Sequence, residues 1–379
     1  MILRSISLTN FKNIADARLE FSPNVNCFLG DNGMGKSNLL DSLYFLSFCK
    51  SFSGVQDGML VRRGEDFAMV RGNYFRRGLE EELSATLRQG KRKTFRRGGK
   101  EYQRLSEHIG AFPLVMLSPA DFNLVGGTSE DRRRFLDQII SQNDQRYFDA
   151  LLRYNSALDQ RNRLLKDESA DKALFAAIET QMDMTAAYIT RRRRETTDTL
   201  SVIFARYYGQ ISGGGETVAL SYQSRMDESG ESLMTIMERN RQRDEILHHT
   251  SSGPHRDDID MTLDGMPARR CASQGQIKTF TCALRFAQYE LMKDAIGFGP
   301  LLLLDDIFDK LDSNRVGRIM SIVATPGVFG QIFITDTNRK HLDEIIADLP
   351  NAEGTDGYRL WHVASGEFTP LNSRDNETT

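Results

Sequence analysis

The segment that most restricts what this chain can become runs from Val25 to Phe48. It reads as an apolar pentad, VNCFL, then GDNGMGKS, then a run with apolar residues at helical spacing, NLLDSLYFLSF. Gly30, Asp31, Asn32, Gly33, Met34, Gly35, Lys36 and Ser37 spell G-x-x-x-x-G-K-[ST], and the flanks supply the context that pattern needs, a strand before it and a helix after it. Each position has a physical task. The glycines let successive backbone N–H groups curl around phosphate oxygens, some at positive φ. A helix opening at Ser37 aims the positive end of its dipole at the same anion. Lys36 is placed to reach β- and γ-phosphates, and the Ser37 hydroxyl to ligate Mg²⁺. The competing reading, a glycine-rich turn with a surface lysine, does not account for the strand and helix on either side.

A phosphate loop of this kind needs a second magnesium element. LLLLDD (301–306) supplies one: four apolar residues make a buried strand, and two carboxylates emerge at its end. Asp305 is expected to hold Mg²⁺ through water. Asp306 is expected to orient or deprotonate an attacking water. Two aspartates that merely cap a strand-to-helix turn are the plainer alternative. A third element is CASQGQIKTFTCALRFAQYELM (271–292), in which small polar residues and one glycine precede a strong helix. Its S-x-G-Q core, Ser273, Gly275 and Gln276, resembles the L-S-G-G-Q signature of ABC-type ATPases; an N-capped core helix is the bland reading. The resemblance implies ATP with Mg²⁺ as cofactors. It also implies a signature that reaches the nucleotide of a second copy, so that two nucleotides are buried in an ATP-induced homodimer. KLDSNR (310–315) stands where the D-loop of that architecture crosses the dimer axis.

Charge is distributed unevenly. The formal net charge is −3, which excludes a global field that gathers nucleic acid. Yet RQGKRKTFRRGGK (88–100) holds seven basic residues and no acid, and arginine runs occupy 132–134 and 191–194. One such run is usually a solvated face; several on an acidic chain point to a placed anionic partner. The candidate contacts in the N-terminal part are Arg62, Arg63, Arg76, Arg77, Lys91, Arg92, Lys93, Arg96 and Arg97. They are of the type that meets phosphates without reading bases. Phe95, inside the cluster, is a candidate for stacking on a base but reads better as a core or turn aromatic. No run of about 18 apolar residues exists, so no membrane span is expected. Cys27, Cys49, Cys271 and Cys282 form no CxxC pair, which fits a reducing cytoplasm.

The fold class read from these patterns is α/β. An ABC-type ATPase head with a mixed β-sheet and P-loop is split by an α-helical hairpin insertion. Residues 1–128 form the N-terminal part of the head and 129–250 the helical insertion, with two helices of roughly 35 residues as a short antiparallel arm. Residues 251–372 carry the signature, the aspartates and the D-loop, and 373–379 read as a disordered tail. The two ends of the chain should meet in one sheet.

LTNFKNI (8–14) ahead of the phosphate loop resembles the branch of ABC ATPases that holds the SMC, Rad50 and RecF proteins. SPADFNLVGGTSEDRRRFLD (118–137), SGPHRDDI (252–259) and SQGQIKT (273–279) narrow the resemblance to the RecF family of bacterial replication and repair proteins, across nearly the whole chain. The short arm fits that family and not SMC or Rad50. The resemblance implies an ATP-dependent, DNA-binding dimer of recombinational repair that binds single-stranded and gapped DNA. Such proteins work with RecR and RecO to load RecA and support the SOS response. Three positions depart from the wider ABC pattern: Asp306 replaces the usual glutamate, Asp336 stands after FIT where a histidine is usual, and Ala120 lies near the usual Q-loop glutamine. Slow hydrolysis, with ATP binding as the switch, is the expectation. A transporter ATPase subunit, a purely structural organiser and an SMC-like nuclease are the rival readings. The first lacks such an arm, and the last needs a further carboxylate cluster.

Overall fold

Alternating burial along the N-terminal residues sets up the first sheet. The computed structural model describes residues 1–167, 172–308, 311–347 and 357–371. Lys310 of the expected D-loop and the expected tail 373–379 lie outside them. The chain forms two compact units, Met1–Asp121 with Gln288–Thr379, and Phe122–Ala287.

In the first unit, strands β1 (Ile2–Phe11), β2 (Ile14–Glu20) and β3 (Val25–Leu29) lead into helix α1 (Lys36–Phe48). Then come β4 (Phe67–Arg76), β5 (Leu79–Arg88), β6 (Thr94–Arg97), β7 (Lys100–Glu101) and β8 (Leu114–Leu117). The second unit holds helices α2 (Asn123–Gly126), α3 (Ser129–Asn143), α4 (Gln145–Leu164) and α5 (Lys172–Ser212), strand β9 (Val218–Gln223), and helices α6 (Arg225–Ser229) and α7 (Leu233–Leu247). Strands β10 (Asp258–Leu263) and β11 (Met266–Pro267) and helix α8 (Ala268–Cys271) follow, and α9 (Gln274–Ile296) carries the chain back into the first unit. There β12 (Leu301–Asp305), α10 (Ser313–Ala324), β13 (Ile332–Asp336), α11 (Arg339–Ala347), β14 (Tyr358–Ala364) and β15 (Glu367–Leu371) complete it.

The first unit has two six-stranded sheets among the described residues, β2-β1-β4-β5-β6-β7 and β15-β14-β3-β13-β12-β8. The first is antiparallel throughout. In the second, β14, β3, β13, β12 and β8 run parallel, and β15 folds back as an antiparallel edge. The short apolar runs of β8 and β12 are buried at every residue, as parallel strands covered on both faces require. The N- and C-terminal parts of the chain therefore share one sheet. Helix α1 is buried nearly all round, with Leu39, Leu40, Leu43, Phe45 and Leu46 fully covered, because it packs against strands of both sheets.

In the second unit the expected long first helix is two helices. Asp144, with φ −137, ends α3 and caps α4 by accepting from the Tyr147 N–H at 2.9 Å. Helices α4 and α5 run antiparallel: Asp144 meets Tyr188 and Arg192, while Arg161 meets Glu179. The second compact unit runs to Ala287. Strand β10 pairs with β9 from Asp258–Gln223 to Leu263–Val218, so the residues after 250 fold with the helical arm.

Candidate functional site

Strands β3, β13 and β12 lie side by side and parallel, so their C-terminal ends emerge on one edge, where open α/β sheets bind ligands. Asp336 is registered opposite Leu29, and Thr335 opposite Asp305. The loop Gly30–Ser37, which follows β3, therefore meets the carboxylates that end β12. The Ser37 hydroxyl donates to Asp305 Oδ1 at 2.9 Å, and the Thr335 hydroxyl donates to the same oxygen at 2.7 Å. Residues 268 positions apart are thus in contact.

The loop has the backbone that an oxyanion cradle needs. Gly33 has φ 82 and Gly35 φ 114, a region that L side chains avoid. Gly30 is fixed for another reason: a Cβ there would lie 2.2 Å from the Val363 carbonyl oxygen. The turn of the β14–β15 hairpin braces the loop from outside, with the Gly366 N–H donating to Met34 O at 2.8 Å. Helix α1 has no side-chain cap and no acid in its first turn, so its leading N–H groups are left for an anion. Asp31, Asn32, Gly33 and Ser37 are exposed, whereas Lys36 is buried and donates to Gly30 O at 2.5 Å and Asp31 O at 2.9 Å.

Burial pulls the Lys36 ammonium below its ordinary pKa, and Asp306, Asp305, Asp336 and Asp31 push it back up. Burial lifts Asp305 above the usual carboxylate range; the Thr335 and Ser37 hydrogen bonds oppose this, and Asp306 adds to it. The residues present fit a hard cation bound together with a phosphate: a hydroxyl and a carboxylate in contact, beside a lysine and an uncapped helix start. Among the described residues no group of three or more His, Cys, Asp or Glu is placed to hold a metal. A cation here would complete its shell with phosphate and water oxygens.

Asp306 is half-exposed and adopts φ 48, with its N–H shared between Thr335 O at 3.2 Å and Thr335 Oγ1 at 3.1 Å. Non-glycine residues held in that region cost about 1 kcal/mol or more and cluster at functional sites. Asp336 is buried. It accepts from the Asn338 N–H at 2.8 Å and contacts His341 Nδ1 at 2.8 Å. The sequence puts Asp336 where a histidine is usual; the fold brings His341, five residues further on in α11, against that carboxylate. His341, Thr335, Val363 and Gly366 are site residues that the motif reading missed. Their signal is strand register and not local spacing.

Asn13, from LTNFKNI, accepts from Asn38 Nδ2 of α1 at 2.8 Å. It also lines a cavity of about 680 Å³ with Lys12, Met59, Val61, Arg62 and Arg63. Arg62 and Arg63 therefore share a cavity with the residue that bonds α1, and Glu65 and Asp66 just after them bond Gln89 of the 88–100 cluster. Within that cluster the structure separates exposed charge from committed charge. Arg76 and Arg97 both hold Glu81, and Arg76 also donates to Ala111 O at 2.5 Å. Lys93 pairs with Asp57 at 3.0 Å, and Arg77 lies over the Phe298 ring. Lys91, Arg92 and Arg96 are exposed, Arg96 with Glu101 3.6 Å away. Phe95 is fully buried and packs on Phe45, which serves the core and leaves no face for a base.

Each of the two arginine runs commits part of its charge inward, while Arg134, Arg191 and Arg194 are exposed. Arg132 forks onto Asp258 and Arg193 onto Asp137, while Arg133 donates to Asp257 O. In the second unit Ser273 is exposed just ahead of α9. Its N–H donates to Gln276 Oε1 at 2.7 Å, and its hydroxyl accepts from the Gln276 N–H at 3.3 Å, a reciprocal cap. Gln276 is held in turn by Glu216 at 2.7 Å, so it positions the turn, while Gly275 is half-exposed beside it.

Residues 2–349 match the RecF/RecN/SMC N terminal domain family. The DNA replication and repair protein RecF of Parabacteroides distasonis is 47% identical over 98% of this chain and 100% of its own length. The chain belongs to the RecF family. The family assignment extends to the fold: a structure of the recombination mediator protein RecF with ATP in the RecFOR pathway superposes with a TM-score of 0.84 at 28% identity, covering 98% of each chain. A Pyrococcus furiosus Smc head domain matches with a TM-score of 0.58 at 16% identity, over 98% of this chain and 96% of that one. At that identity the likeness is one of fold alone. No helix among the described residues is long and apolar enough to cross a membrane.

Proposed function

We propose that this RecF-family protein binds ATP with Mg²⁺ and closes as a homodimer on DNA during recombinational repair and replication restart. Hydrolysis is slow and resets the switch. The observation that carries the reading is the Ser37–Asp305–Thr335 contact, which joins the phosphate loop to the carboxylate strand. The backbone N–H groups of Gly30–Lys36 and the start of α1 hold the phosphates, and Lys36 moves from the Gly30 and Asp31 carbonyls to the β- and γ-phosphates. Ser37 and Asp305 would hold Mg²⁺. Bound there, a cation would supply Lewis-acid neutralisation of phosphate charge. Asp306 orients or deprotonates the attacking water; its short side chain and constrained backbone favour slow turnover. Ser273 and Gly275, positioned by Gln276, complete the nucleotide pocket of the other copy.

DNA, single-stranded or gapped, is held by phosphate contacts from Lys91, Arg92 and Arg96, exposed at the edge of the first sheet. Arg76, Arg97 and Lys93 support that edge through Glu81 and Asp57, with Arg62, Arg63 and Arg77 at its flanks. The solved relative is a recombination mediator of the RecFOR pathway, which supports for this chain a cytoplasmic role with RecR and RecO in loading RecA and supporting the SOS response.

Equilibrium ATP binding in the presence of Mg²⁺ tests the assignment. Lys36→Met is expected to weaken it by about 100-fold, the worth of a charge-assisted donor to phosphate. Binding within twofold of the wild type would remove Lys36 and the loop from the assignment.

A further inference from the structure

The second unit contains a cationic pocket that the nucleotide site does not use. A cavity of about 260 Å³ is lined by Arg225, Arg243, Leu247, His249, Ser251 and Arg256, with no carboxylate among them. Arg225 opens α6, and Arg243 and Leu247 lie at the end of α7. His248, at φ 52, turns the chain so that His249, Ser251 and Arg256 return to the same place. Arg256 is anchored through one carbonyl: its Nε and Nη2 donate to Thr250 O at 3.2 and 3.1 Å. His249 Nδ1 bonds Leu247 O at 2.9 Å, which fixes the ring.

Two features separate this pocket from the arginine-rich interior around it. Several arginines of this unit are matched to carboxylates, as Arg161 is to Glu179 and Asp244, Arg193 to Asp137, and Arg194 to Asp227. Arg225 and Arg243 are exposed and have no ion-pair partner among the described residues. The carboxylates closest in sequence are already taken: Asp244 accepts from Arg161 and the Ser251 N–H, and Asp227 from Arg194. The second feature is Ser251, 9% exposed, whose hydroxyl is buried without a hydrogen-bond partner. A buried hydroxyl left unpaired is costly. Three permanent positive charges around one cavity repel one another unless an anion joins them. Guanidinium forks and a hydroxyl donor suit the several oxygens of a phosphate better than they suit one carboxylate.

We propose that this pocket binds a phosphate group, and that in the working protein the group belongs to a nucleic-acid backbone. The second half of the proposal rests on the DNA-binding reading above; the first does not. It adds to the exposed edge of the first unit an anchor in the arm.

The test uses the full chain with Arg225→Ala and Arg243→Ala combined, substitutions at exposed residues that leave ATP binding unchanged. To silence the nucleotide loop, the phosphate arm is run in a Lys36→Met background, with pyrophosphate as probe and thermal unfolding as readout. Pyrophosphate is expected to raise the midpoint of the Lys36→Met protein and to leave that of the triple variant unmoved. No rise in the parent, or an equal rise in both, overturns the pocket. The second arm measures gapped-DNA affinity against salt in the otherwise wild-type chain. Loss of one phosphate contact is expected to weaken binding about tenfold and to flatten the log–log slope by about 0.9. A lost pyrophosphate response with an unchanged DNA slope upholds the phosphate pocket and overturns the backbone as its source. If the wild type holds no DNA at any salt, the DNA-binding reading fails, while the pyrophosphate arm still decides the pocket.

Discussion

Arg161 shows what a single residue does in the second unit. It is fully buried, and its guanidinium donates to Glu179 at 2.9 Å, Asp244 at 2.8 Å and the Thr250 hydroxyl at 2.8 Å. Glu179 also accepts from Arg241 at 2.6 Å. Arg161→Ala strips one partner from two buried carboxylates, and the expected loss is about 3–5 kcal/mol in urea unfolding. A loss below about 1 kcal/mol would mean that water or relaxation compensates the pair. Nothing in the sequence marks Arg161, because it lies in a charged helix and Asp244 is 83 positions away. Lys36 and Ser37 are the opposite case: the task proposed for each is set by neighbours within one loop, which is what spacing can suggest. Arg76 and Arg97 read as exposed cations because Glu81, which holds them both, sits in the adjacent strand.

At the level of elements, segments with a local stop signal were legible and those ended by tertiary contacts were not. Ser365 and Gly366, both at positive φ, close the β14–β15 hairpin where the sequence places it. The break at Asp144 hides inside a continuous helical pattern. Two histidines, His108 buried and His255 half-buried, give these elements a pH dependence. His108 bonds Leu46 O of α1 at 2.6 Å, and His255 lies between Tyr154 of α4 and Thr250 O. Burial pushes each down to about 4 from an ordinary 6.5. Between those values the unfolded chain binds protons that the native histidines refuse, so stability is present above about pH 6.5 and falls as pH drops toward 4. The effect is on the order of 3 kcal/mol for each group at the acid end. Burial raises Asp257, which opposes the trend near the acid end of this window. Unfolding free energy measured from pH 7 to pH 4 is expected to fall steadily, and His255→Gln to flatten the fall. An unchanged profile in His255→Gln would show that this histidine is not the titrating group.

The whole molecule divides its motifs between two units, with the phosphate loop and aspartates in one and the Ser273 turn in the other. That division was only partly legible. The shared sheet follows from apolar runs at both chain ends, but the boundary at 287 depends on β10 pairing with β9 across the α6–α7 segment, and no short-range pattern records such pairing. The proposed mechanism requires Ser273 of one chain to finish the phosphate site of another, so nucleotide occupancy and assembly are one event. Light scattering of the full chain with ATP and Mg²⁺, with ADP, and without nucleotide measures that link directly. The wild type is expected to change from one chain to two with ATP alone, and Ser273→Arg to bind ATP and remain single. An ATP-loaded wild type that stays single at every concentration, or a Ser273→Arg protein that pairs normally, would contradict the composite site.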